Sequence, residues 1–212
     1  MIMELLMFAM LFVTFSMIIA KRITAVINGF MWQSLLMFLA MLYLAFVSGN
    51  SELFALSALV LAVKVVFIPY YLRKITTEMN ADQNMGLILN PFLSLLTGIG
   101  LTYLSYAFAG YVFETQVPAD KLMPTISVSI IALGLFLMIF RMKALSQIIG
   151  LLVMENGIFL LASWTSGGMP FIVELAVFFD LFVLVIIVGA FIYRINRLFT
   201  HIDVSKLTEL KG

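Results

Sequence analysis

The chain is a succession of long apolar blocks separated by short polar stretches. Blocks near the roughly 20 residues that a helix needs to cross a hydrocarbon core fall at 2–20, 26–48, 52–72, 87–113, 122–140, 145–164 and 171–195. The cuts are marked by Gly49-Asn50-Ser51-Glu52, by the stretch from Arg73 to Gly86, by Glu114 to Lys121, by Arg141-Met142-Lys143 and by Thr165 to Pro170. The pattern predicts an all-α, polytopic transmembrane bundle of about seven helices.

Cations fix an expected orientation, because cytoplasmic loops collect Lys and Arg. Loops one, three and five hold Lys21 and Arg22, Arg73 and Lys74, and Arg141 and Lys143, whereas loops two, four and six hold only Lys121. With Arg194, Arg197, Lys206 and Lys211 at the end of the chain, the asymmetry predicts an N-terminus outside and a C-terminus in the cytoplasm. Residues 2–20 read as a retained first helix: Glu4 precedes the apolar run and Lys21 and Arg22 follow it, the reverse of a cleaved signal peptide. In the fourth block Ser94, Gly98 and Thr102 form a row of small residues, on which another helix can pack closely.

Composition agrees with this class and narrows the chemistry. The chain has 212 residues, 64% of them hydrophobic and 11% charged, with a mean hydropathy of +1.16. Twelve Lys plus Arg against eleven Asp plus Glu leave a net charge of +1, so no basic face is expected for nucleic acid. Cys is absent, which removes disulfides, thiolate nucleophiles and cysteine-held iron–sulfur clusters. The single histidine, His201, lies past the last apolar block, so no zinc or haem site is expected from this chain alone.

Four ionisable residues fall inside the predicted helices: Lys64 in the third, Glu155 in the sixth, and Glu174 and Asp180 in the seventh. An ionised group at a helix centre costs roughly 2.5 to 3.5 kcal/mol on insertion scales, so a chain that keeps four has a use or a partner for them. Glu174 is only a turn or so inside its block and could sit at the interface. Two readings stand side by side. In one, Lys64 pairs with a carboxylate and the rest sit neutral in packed interfaces; in the other, the groups line a hydrated route for protons, the default reading of intramembrane charge. Gln147 and Asn156 could make the face of Glu155 wet, and Pro69 removes the backbone bond to Val65, freeing a carbonyl next to Lys64.

These residues carry a resemblance. The segments Gly150-Leu-Leu-Val-Met-Glu-Asn-Gly157, Val173-Glu-Leu-Ala-Val-Phe-Phe-Asp180 and Ile202-Asp-Val-Ser-Lys-Leu-Thr-Glu-Leu-Lys-Gly212 look like component E of hydrogenase-4, as do Trp32-Gln-Ser-Leu35 and Lys64-Val-Val-Phe-Ile-Pro69. The last three blocks also resemble, more loosely, the small three-helix subunit K of respiratory complex I and its counterpart in multisubunit cation/proton antiporters. In subunit K the first acid stands two positions after the glycine, where this chain has Leu152; here the acid is Glu155, about one turn further on. Asp180 is similar in place to the second acid of that subunit.

The resemblance implies a division into 1–114, a four-helix membrane segment; 115–200, a three-helix segment like subunit K; and 201–212, a cytoplasmic tail. It implies a non-catalytic membrane-arm subunit of a proton-translocating, hydrogen-evolving hydrogenase complex, formate- or carbon monoxide-linked. In such an assembly the nickel–iron centre and iron–sulfur clusters belong to peripheral hydrogenase subunits, and the membrane partners are antiporter-like subunits and a quinone-site-like subunit. Glu155, Asp180, Glu174 and Lys64 would then contribute to a lateral proton path. A small subunit of an antiporter without a redox module, or a spacer whose charges merely pair, remain the alternatives. In the tail, Ile202, Leu207 and Leu210 make an apolar edge among Asp203, Lys206, Glu209 and Lys211; this reads as a cytoplasmic docking segment, toward which the resemblance of the terminus tips the reading, with a solvated end as the alternative.

Overall fold

The computed structural model describes residues 2–49, 51–78, 89–112 and 121–166, together with Gly189. Among these residues every regular element is a helix: α1 Ile2–Ile19, α2 Ile23–Ser48, α3 Ser51–Val60, a π-helical segment Leu61–Phe67, α4 Ile68–Glu78, α5 Pro91–Val112, α6 Leu122–Ile139 and α7 Ala144–Ser166. Because α3, the π segment and α4 run on without a break, the elements make six rods long and apolar enough to cross a membrane, the make-up of a multi-pass membrane protein. They correspond to the first six apolar blocks. The block at 171–195, with Glu174 and Asp180, and the tail lie outside the described residues apart from Gly189, which is helical and buried.

Local chemistry sets the boundaries. Gly49 closes α2 in the left-handed region at φ 64°, its N–H donating to the Ala45 carbonyl, a C-terminal cap that glycine enters without steric penalty. The fourth rod begins at Pro91 rather than at 87: Asn90 accepts the Phe92 N–H at its side-chain oxygen, and proline at the first helical position loses only an N–H that had no partner there. The third rod, expected to end at 72, continues to Glu78. Arg73, read as the start of a loop, instead reaches α2, donating to Asn28 Oδ1 at 2.7 Å.

α1, α2, α6 and α7 form a central group of four, with α1 against α2 and α6, and α7 against α2 and α6. α5 flanks α1 and α6 on one side, and the 51–78 rod flanks α2 on the other. α6 and α7 approach most closely, at glycines. A Cβ added to Gly134 would stand 2.5 Å from the Met154 backbone nitrogen, one on Gly150 2.8 Å from that of Met138, and one on Gly157 2.8 Å from that of Ile131. Without a hydrophobic drive between helices in lipid, such small-residue contacts let dispersion between backbones hold the pair. The small-residue row on α5 serves packing too: Ser94 is buried, and the Phe15 ring lies over Gly98. The buried apolar cluster draws on α1, α2, the 51–78 rod, α6 and α7, so one core runs through both the 1–114 and 115–200 segments.

The cations read as marking loops one, three and five lie toward one end of the bundle, those of loop three within α4. Arg141, between α6 and α7, is buried and donates to three carbonyls at the end of α1: Ala20 at 2.9 Å, Met17 at 2.9 Å and Ile18 at 2.7 Å. The last turn of a helix leaves carbonyls unpaired and carries partial negative charge, and a guanidinium can satisfy several of them at once. Burial lowers the Arg141 pKa to about 10, which keeps the group charged at neutral pH. Gln147 Nε2 donates to the Arg141 carbonyl at 3.1 Å and is otherwise exposed. It stands in the first turn of α7 and is exposed where Glu155 is buried, so it does not wet the face of Glu155 that its spacing suggests it should.

Candidate functional site

The Lys64 ammonium lies 2.9 Å from Glu155 Oε1, with side-chain exposures of 1% and 8%. Lys64 stands in the π segment and Glu155 in α7, so the pair joins the outer rod to the central group. The π segment matters for the aim of the lysine. Its widened turn bonds i to i−5, as in the Ile68 N–H donating to the Val63 carbonyl, and it ends just before Pro69, which has no N–H to continue the ladder. Single π turns inside helices recur at functional positions.

A chain of hydrogen bonds extends from the lysine through the centre of the bundle. Lys64 Nζ donates to Asn156 Oδ1 at 2.9 Å, Asn156 Nδ2 to Gln33 Oε1 at 3.2 Å, Gln33 Nε2 to Thr14 Oγ1 at 2.8 Å, and Thr14 Oγ1 to the Met10 carbonyl at 2.8 Å. Asn156, Gln33 and Thr14 are all fully buried. Every donor points away from the lysine, so each dipole turns its acceptor end toward the ammonium and the bonds strengthen one another. Gln33 and Asn156 stand about 15 to 18 Å along their helices from the basic end at 1.5 Å per residue. That is near the middle of a hydrocarbon core roughly 30 Å thick.

The two sides of the pair differ. Lys64 is braced by Glu155 and by the amide chain, whereas Glu155 Oε2 is buried with no hydrogen-bond partner among the described residues. A buried acceptor without a donor is costly, and this one belongs to a group that can take up a proton. Asn156 and Gln33 do not titrate in water's range, so exchange chemistry is confined to Glu155 and Lys64, and the amides position the cation.

Of the four ionisable residues read from the sequence, the structure brings Lys64 and Glu155 together; Asp180 and Glu174 lie outside the described residues. The pairing of Lys64 with a carboxylate was one of the two readings, and the partner is Glu155. Asn156, expected to wet the face of Glu155, instead clasps the lysine. Gln33 and Thr14 were missed. Gln33 had a signal, since it is a bare amide inside a long apolar block; Thr14 had none, because a threonine in a membrane helix can satisfy its own hydroxyl on the preceding turn. Leu152, where subunit K carries its first acid, is buried, as are Glu155 and Asn156.

Comparison with known proteins adds one relative. The chain is 28% identical over 192 residues, 90% of its own length and 87% of the other's, to Uncharacterized protein Rv0085 of Mycobacterium tuberculosis (strain ATCC 25618 / H37Rv). No protein-family model matches the chain, and no solved structure matches it significantly.

Proposed function

We propose that this chain is a membrane-arm subunit of a proton-translocating, complex I-like, hydrogen-evolving hydrogenase complex, in which Glu155 and Lys64 form one station of a lateral proton path. The observation that carries the reading is the buried Lys64–Glu155 pair with Glu155 Oε2 unpartnered among the described residues. A carboxylate held by a cation on one oxygen and unsatisfied on the other can accept a proton at the second oxygen, weakening its hold on the ammonium. The proton can then pass on when the pair re-forms. Asp180 and Glu174 would continue the path. The resemblance to hydrogenase-4 component E supplies the kind of assembly: antiporter-like and quinone-site-like partners in the plasma membrane, and peripheral subunits that hold the nickel–iron centre. The chain would cross seven times, with its basic end in the cytoplasm.

A second reading is favoured by the amide chain, which contains no titratable member: the pair could be a structural clasp in a spacer subunit. The two readings part in one experiment on membranes carrying the whole complex, with Glu155→Gln, which keeps the shape and removes the charge. The proton-path reading expects hydrogen evolution to continue while coupled proton pumping falls at least tenfold, with the complex intact on a native gel. Full pumping in intact complexes would remove Glu155 from the path. Loss of the complex from the gel, with undiminished coupling in whatever survives, would establish the clasp.

A further inference from the structure

On the side of the bundle away from the 51–78 rod, α1, α5 and α6 enclose a groove of about 260 Å³. Phe8 and Leu11 of α1, Tyr106 of α5 and Ile126 of α6 form its walls, and the exposed Phe8 and Tyr106 stand where the groove meets the surroundings of the bundle. Its lining is mostly apolar, with the charged residue Lys121 among it, an arrangement that suits a slender flexible chain carrying an anionic head. Two polar features stand at one end. Lys121, which precedes the first turn of α6, lines the groove, as does Thr125 one turn deeper. Thr125 Oγ1 is buried with no hydrogen-bond partner among the described residues. This is the end opposite Arg141, where α5 also exposes Tyr111 in its last turn, the kind of position at which interfacial aromatic residues are expected.

We propose that the groove binds one acyl chain of an anionic glycerophospholipid, with the phosphate against Lys121 and an ester carbonyl accepting the Thr125 hydroxyl. The spacing fits the ligand: phosphate and ester carbonyl sit at successive depths, as Lys121 and Thr125 do across one turn. The charge fits as well, since the ammonium and the positive end of the α6 dipole have the same sign at that rim. The site lies apart from the Lys64–Glu155 pair and stands whether or not that pair moves protons.

The test uses full-length protein purified from its membrane in mild detergent, exposed to equal amounts of phosphatidylglycerol and phosphatidylethanolamine and read by native mass spectrometry. Wild type should retain phosphatidylglycerol at least fivefold over phosphatidylethanolamine. Lys121→Gln should bring the ratio near one. Thr102→Phe, which fills the groove, should remove both lipids from protein that still runs as a folded species on size exclusion. A phosphatidylglycerol with a diazirine in its acyl chain should label peptides containing Leu11 and Tyr106, which needs no substitution. Equal retention of the two lipids by wild type, unchanged preference in Lys121→Gln, or label confined to other helices would overturn the proposal.

Discussion

At the residue scale, the energetics of the site depend on what is left behind when one member is removed. Breaking a buried pair by removing one partner costs about 3 to 5 kcal/mol, because the remaining charge stays desolvated, while replacing both partners is often close to neutral. Lys64→Met should therefore destabilise the protein by roughly that amount, and Lys64→Met with Glu155→Leu should recover most of the loss. Thermal unfolding in detergent reads the cycle. Additive losses would mean that the two groups do not depend on each other. Gln33→Leu leaves the Asn156 Nδ2 group without its acceptor in a fully buried place, while Thr14 keeps its bond to the Met10 carbonyl; a loss of about 1 to 3 kcal/mol is expected. In this variant Lys64 keeps its 2.9 Å contact with Glu155, so it should impair stability more than proton coupling.

At the element scale, two devices hold the helices in place. The α6–α7 contact depends on glycines that admit no side chain, so Gly150→Leu should push the helices apart, with a stability loss of about 1 to 3 kcal/mol or more. It should also disturb the pair, since Glu155 and Asn156 lie just beyond it on α7. Gly100 is the control: an added Cβ meets nothing within 4 Å, and Gly100→Ala should be neutral or stabilising by about 0.5 to 1 kcal/mol. Equal effects of the two substitutions would refute the close-contact argument. The second device is Arg141 at the end of α1. Arg141→Lys keeps the charge but loses the planar fork that spans the Met17, Ile18 and Ala20 carbonyls. A melting temperature lowered by several degrees, corresponding to about 1.5 to 3 kcal/mol for hydrogen bonds to a charged group, is the expected result.

At the scale of the whole molecule, the cations of the first, third and fifth polar stretches share an end: Arg141 touches the end of α1, and Arg73, in α4, touches Asn28 near the start of α2. Because the chain has no Cys, single cysteines report topology without background. Cysteines at Lys74 and Lys143 should be labelled by an impermeant thiol reagent from one side of the membrane, and cysteines at Gly49 and Lys121 from the other. If the first two prove to be the cytoplasmic pair, the expected orientation holds; a split between Lys74 and Lys143 would contradict the fold itself.

The apolar blocks alone determined the helical class and the first six helices long and apolar enough to cross a membrane, because lipid accepts only segments that satisfy their own backbone, and that demand is written in length and hydropathy. The sequence also determined which residues were out of place: Lys64 and Glu155 are conspicuous wherever they point, since charge in an apolar block is costly in every arrangement. What no reading along the chain could decide was partnership. Glu155 and Asn156 are neighbours on one turn, yet the first bonds Lys64 as an acid and the second extends a chain to Gln33 and Thr14, two helices away. Arg141 looked like a topological marker and proved to be the cap of a helix more than a hundred residues earlier. Such contacts depend on helix rotation, on the extra residue in the π turn and on how closely glycines let α6 and α7 approach. These are properties of the packed bundle, and only the tertiary structure turned a list of misplaced charges into one clasped lysine and one carboxylate oxygen with no described partner.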